Sequence, residues 1–96
     1  MLFVMTNTHT PENCAAHSPE RLKTFAAVMK SAEENGVHIH SLYVAPWEHT
    51  FYGVLEAESA DSLGRWIDPL LELTTSKITP VTDGLAAIEE RLKGSQ

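Results

Sequence analysis

Very little in this chain can be cross-linked, and very little of it is basic. Cys14 is the single cysteine in 96 residues. That excludes an internal disulfide. A bridge between two chains remains open, but a free thiol or a metal ligand fits a reducing compartment better. Lys and Arg number only seven against thirteen Asp and Glu, for a net charge of −6. The basic residues are scattered, so neither a nucleic-acid backbone nor an anionic membrane surface is expected as the main partner. No apolar run is long enough to span a bilayer. The segment Met1 to Met5 is apolar but has neither a basic leader nor a long hydrophobic core, so no signal peptide is expected, and a cytoplasmic location follows by default. The chain also lacks a Gly-rich phosphate loop, a nucleophile elbow, a C-x-x-C pair, an internal repeat and any low-complexity tract.

What the chain does have is histidine, five in all, set in an alternation of strand and helix patterns. The length suits one domain covering residues 1–96, and dimerisation is one way for so short a chain to bury more surface. Residues 2–9 are rich in β-branched side chains and read as a strand. Residues 10–18, with Pro11, Asn13 and Cys14, read as a loop. Ser18-Pro19-Glu20 is a helix start: a capping hydroxyl, a proline at the first turn and an acid at the positive end of the dipole. Leu22, Phe25, Ala26 and Met29 follow at helical spacing, and Asn35-Gly36 ends the segment.

Residues 37–45 and 49–57 read as two strands joined by a turn at Pro46-Trp47-Glu48. Ser59 caps a second helix through Leu63, Trp66, Ile67 and Leu70, which Pro69 should kink or shorten. Residues 76–81 form a fourth strand. Pro80 cannot donate to a ladder, so this strand belongs on an edge. Asp83 caps a last helix through Leu85, Ile88 and Leu92. The order β-α-β-β-α-β plus a terminal helix predicts an α+β, ferredoxin-like domain with an antiparallel sheet in the order 4-1-3-2. That order puts strand four on an edge, as Pro80 requires.

This arrangement, and the local sequence, resemble the dimeric α/β-barrel superfamily. Within it, the chain is similar to an uncharacterised family of short bacterial proteins. The likeness rests on Met1-Leu2-Phe3 and on the stretch Tyr52 to Val81, with Leu55-Glu56, Asp61, Leu63, Trp66-Ile67 and Pro80-Val81. The segment from His9 to His17 departs from the pattern. The resemblance implies a homodimer whose two sheets face each other. The superfamily hosts cofactor-free monooxygenases, haem-binding enzymes, lactone isomerases and stress-response proteins, so activity has to be argued from the site.

Strand order makes that argument possible. Strand three runs antiparallel beside strand one, so His9, at the end of one, lies next to His49, at the start of the other. Cys14 and His17 sit on the loop leaving His9 and can fold back over the same end. Imidazole and thiolate suit Zn, Cu or Fe. His38 and His40 are two apart on a strand and point to one face. With Val37, Ile39 and Tyr43 packed on the helices, His38, His40 and Leu42 would face the dimer barrel. Asn7 and His9 would join them if Leu2, Val4 and Thr6 packed on the helices. The barrel-facing surface would then carry Phe3, Met5, Leu42 and Val44.

The leading expectation is a metal site drawn from His9, Cys14, His38, His40 and His49. An alternative is a cofactor-free or haem-dependent monooxygenase-type enzyme, its barrel cavity lined by Asn7, His38, His40 and Trp66 around an aromatic ligand. A further alternative is a non-catalytic ligand-binding or regulatory module. A Cys14 nucleophile with His9 or His17 as base ranks lower, since no oxyanion hole can be located. The bland readings are a solvated His17 and Glu12, and a Trp66 that is simply core. Trp47, in a turn, is the aromatic residue that calls for an interface or a ligand.

Overall fold

The computed structural model describes residues 1–94. Its elements are β1 (Leu2–His9), α1 (Pro19–Lys30), β2 (Val37–Ala45), β3 (Thr50–Ala57), α2 (Ala60–Ile67), β4 (Thr74–Val81) and α3 (Gly84–Gly94). The sheet order is β2-β3-β1-β4, antiparallel throughout. The split βαββαβ topology read from the sequence is therefore present. Pro80 lies opposite Phe3 on β4, an edge strand, where its missing N–H costs no ladder bond. No helix among the described residues is long and apolar enough to cross a membrane.

The helix boundaries follow local chemistry. Ser18 Oγ accepts from the Arg21 N–H at 3.3 Å and opens α1. Gly36, at φ 78°, supplies the left-handed turn into β2. Ser59 Oγ accepts from the Ser62 N–H at 3.3 Å and opens α2. Pro69 shortens α2 rather than kinking it: the helix stops at Ile67 and a 3₁₀ turn, Asp68–Leu70, follows. At α3, the Ala86 N–H donates to Asp83 Oδ1 at 3.0 Å.

One face of the sheet is covered by α1 and α2. Phe3, Met5, Leu55, Val37 and Ala57 pack there against Phe25, Val28, Leu63, Trp66, Ile67 and Leu70. Burial of each large side chain contributes about 1.5–3 kcal/mol. Trp66 is fully buried, and its indole N–H donates to the Val28 carbonyl at 2.7 Å, tying α2 to α1.

Two expectations about sheet faces are corrected here. In β1 the buried residues are Phe3, Met5, Asn7 and His9. Those four, and not Leu2, Val4 and Thr6, lie on the helix side. In β2 the register slips between Ile39 and Ser41, a bulge at His40. The extra residue reverses the alternation beyond it. Leu42 therefore packs against the core, while Tyr43, expected on the helices, is 71% exposed. The uncovered face carries Val4, Tyr43 and Tyr52 in place of Phe3, Met5 and Leu42.

The terminal helix α3 stands apart, with no buried residue. The radius of gyration is 15.8 Å, against about 12–13 Å for a compact domain of this length.

Candidate metal centre

At one end of the sheet, three residues far apart in sequence meet. His9 closes β1 and is buried. Its N–H donates to the His49 carbonyl at 3.0 Å, so the ladder that pairs β1 with β3 also sets the two histidines side by side. Their rings meet edge to face, with centroids 5.2 Å apart. His49 follows the 3₁₀ turn Pro46–Glu48 and adopts a left-handed backbone, φ 51° and ψ 42°. That is why β3 begins at Thr50, one residue later than the sequence pattern suggests. A non-glycine residue there holds about 1–3 kcal/mol of backbone strain, and such strain concentrates at functional positions.

Cys14 arrives from the loop. Two 3₁₀ turns, Pro11–Asn13 and Ala15–His17, flank it. Asn13 Nδ2 donates to the Leu73 carbonyl at 3.2 Å, and Arg21 Nη1 donates to the Glu12 carbonyl. The loop is thereby tied to the segment before β4 and to α1. One ligand atom each from His9, Cys14 and His49 lies within 4.8 Å of the others. Tetrahedral zinc with bonds of about 2.0–2.3 Å would set such donors about 3.4–3.6 Å apart, so a contraction of roughly an ångström closes the group.

The polar atoms of this group have no other work. His9 Nδ1, His9 Nε2 and His49 Nδ1 are buried without a hydrogen-bond partner among the described residues. An orphaned buried polar atom costs about 1–3 kcal/mol, and native structures leave few of them. Burial, and secondarily the neighbouring His49 ring, hold the His9 imidazole below its ordinary pKa. A neutral imidazole is the form that binds a metal.

Phe25 and Phe51 stack on each other, centroids 5.9 Å apart, and each ring lies 6.2 Å from His9. These two phenylalanines were not singled out from the sequence. The usable signal was position: Phe51 is two residues after His49, and Phe25 lies on the apolar face of α1.

The other sequence candidates lie elsewhere. His38 and His40 are 4.7 Å apart, ring to ring, but both are exposed on the uncovered side of the sheet. His38 Nδ1 pairs with Glu33 Oε1 at 2.9 Å, and His40 Nε2 pairs with Glu56 Oε1 at 2.8 Å. The His40 hydrogen bond holds the Glu56 carboxyl below its ordinary pKa. Asn7 lies on the helix side, its Nδ2 donating to Thr74 Oγ1 at 2.8 Å and Ser76 Oγ at 2.7 Å. Those bonds help explain why β4 starts at Thr74 rather than 76. The expected single surface of Asn7, His9, His38 and His40 does not exist, because alternate faces of the sheet separate them. Trp66 is core, with no surface to offer a ligand on the open face. His17 is exposed and outside the group. Trp47 is fully exposed at the tip of the turn before His49.

Sheet order, helix placement and connections define an α+β, ferredoxin-like protein with a His/Cys group at one end of its sheet. The chain belongs to the family described as Domain of unknown function (DUF3303), which it matches over residues 1–92. Among solved structures it is similar to SCO4226 from Streptomyces coelicolor A3(2), at 17% identity and a TM-score of 0.59, covering 85% of this chain and 98% of that one. It is also similar to an antibiotic biosynthesis monooxygenase, at 14% identity and a TM-score of 0.53, covering 86% of this chain and 100% of that one. At these identities the likeness is one of fold. No curated protein matches the chain.

Proposed function

We propose that this protein binds a transition metal ion, Zn, Cu or Fe, through His9, Cys14 and His49. One observation carries the reading: one ligand atom each from His9, Cys14 and His49 comes together where both imidazole rings have buried nitrogens without a partner among the described residues. A metal ion would satisfy an atom of each ring at once and would be neutralised in part by the thiolate. Soft thiolate beside imidazole disfavours Mg²⁺ and Ca²⁺. Three protein donors leave a fourth tetrahedral position for water, which is the pattern of zinc sites that catalyse. His38 and His40 take no part in this site, since they are exposed on the opposite face of the sheet from His9.

The haem alternative draws no support from the helix side of the sheet. The cavity there is about 220 Å³, room for one or two fused rings but not for a porphyrin macrocycle. The monooxygenase-type alternative keeps the fold likeness and keeps His38 and His40 on the uncovered face, but it loses Asn7 and Trp66, which are buried on the helix side. The test is elemental analysis of protein purified without a histidine tag, followed by Zn²⁺, Cu²⁺ and Fe²⁺ titration of the metal-free form. One ion per chain, lost in His9→Ala with unchanged circular dichroism, is expected. No bound metal, and titration indistinguishable from that of the variant, would sink the proposal.

The same reading includes a homodimer in the cytoplasm. Val4, Tyr43 and Tyr52 on the uncovered sheet face, with Leu85 and Ile88 on α3, are exposed apolar side chains that a second copy would cover. Light scattering at micromolar concentration should return twice the chain mass; a stable monomer would count decisively against a dimer.

A further inference from the structure

Between the sheet and α1 lies a cavity of about 220 Å³ that neither the metal reading nor the fold accounts for. We infer that it is a binding site for an uncharged, largely apolar small molecule about the size of a fused bicyclic aromatic ring. Its lining is apolar apart from Asn7, so water inside finds almost no hydrogen-bond partner, and an apolar guest that displaces that water is favoured. An apolar cavity of about 150 Å³ takes up benzene, so the present one has room for a second ring.

The lining decides the chemistry of the guest. No charged side chain contributes to it. Asn7 is its single polar residue, and both hydroxyl partners of the Asn7 amide come from β4. Those donors are satisfied without a guest, so a guest needs no hydrogen-bonding group to balance them. The Phe25 and Phe51 rings and the Met5 and Met29 thioethers form much of the remaining wall. Aromatic and sulfur-bearing walls favour an aromatic guest over an aliphatic one.

The cavity also has a way in. Leu22 and Ala26 of α1 contribute to its wall while remaining exposed, so the mouth opens at the flank of α1 beside these two residues. Two rings of its wall, Phe25 and Phe51, are the ones that pack on His9. The pocket and the His9 group are thus neighbours with a shared wall. The pocket does not depend on the metal reading, because its own residues supply no donor to an ion.

The experiment uses 1-fluoronaphthalene followed by fluorine NMR on the full chain, with and without Zn²⁺. Saturable one-to-one binding is expected, with nuclear Overhauser contacts from the ring protons to the methyls of Met5 and Met29. Ala26→Trp should fill the mouth and weaken binding at least tenfold. Leu22→Trp, at a second exposed position, should act in the same direction and serves if the first variant misfolds. Metal-free wild type should bind the probe within a few-fold of the zinc-titrated protein. That comparison separates the two proposals: failure of zinc binding leaves the pocket standing, and failure of the probe leaves the metal site standing. No saturable binding would overturn the inference. So would contacts to Ile88 of α3 instead of Met5 and Met29, or two tryptophan variants that bind as wild type does.

Discussion

Two pairs of histidines in this protein make opposite use of the same side chain. His38 and His40 are two apart in sequence and legible as a motif, yet each ring is exposed and tied to a glutamate. His9 and His49 are 40 residues apart and form no motif, yet their rings touch in a buried place with nitrogens left unpaired. Spacing on a strand tells where side chains point. It does not tell what else will be there to satisfy them. Exposed imidazoles can turn to water or a carboxylate at little cost, whereas buried ones hold their unpaired nitrogens at a free-energy cost until something arrives.

The largest test of that contrast is metal affinity. Loss of even an outer-sphere partner costs about 10–100-fold in affinity, so removal of a direct ligand in His9→Ala or Cys14→Ser should weaken Zn²⁺ binding by about 100-fold or more. The double variant His38→Ala/His40→Ala should stay within about threefold. A chelator-competition titration reads both. If the double variant loses zinc and His9→Ala keeps it, the two pairs have been assigned the wrong way round.

Acid sensitivity is the next largest effect. The His9 imidazole is held below its ordinary value of 6.5 by burial and by His49. The unfolded chain then binds the proton more readily than the folded one, so stability is complete above about pH 6.5 and falls as the pH drops below it. The slope for a single proton cannot exceed about 1.4 kcal/mol per pH unit. Urea midpoints of metal-free protein should decline over that window, and His9→Phe should decline less steeply. Equal slopes would mean that His9 does not carry the effect.

A smaller change should separate site from scaffold. His49 sits at φ 51°, a conformation that glycine adopts freely. His49→Gly should raise the stability of the metal-free protein by about 1 kcal/mol while removing a ligand. Greater thermal stability together with lost zinc binding would mark His49 as a residue kept for function. Destabilisation would instead show that its ring packing against His9 outweighs the strain.

The smallest effect belongs to the exposed pairs. Glu33→Gln and Glu56→Gln should each change stability by less than about 0.5 kcal/mol, since solvent-exposed ion pairs contribute little. A loss above about 1 kcal/mol in thermal or urea unfolding would show that the proposed dimer contact extends over the His38–His40 pairs and takes them out of water.

Much of the fold could be read from local chemistry. Ser18, Ser59 and Asp83 cap where their neighbours allow it, Gly36 turns where only a left-handed residue fits, and Pro80 selects an edge. The pairing of His9 with His49 was also legible, because it follows from strand order alone, and Cys14 lies on the loop that leaves His9. The sheet faces were harder to read. Phe3-Val-Met-Thr-Asn alternates in a way that supports either face, and the choice depends on which residues α1 and α2 press against.

The sequence by itself determined the order of elements, their caps and the meeting of strand ends, since these depend on backbone preferences and short-range hydrogen bonds. The bulge at His40, the turn of Asn7 and His9 toward the helices, and the Phe25–Phe51 wall beside His9 were decided only by tertiary structure. A strand's period of two leaves its inward face undefined until the helices cover one side, and a single extra residue reverses it.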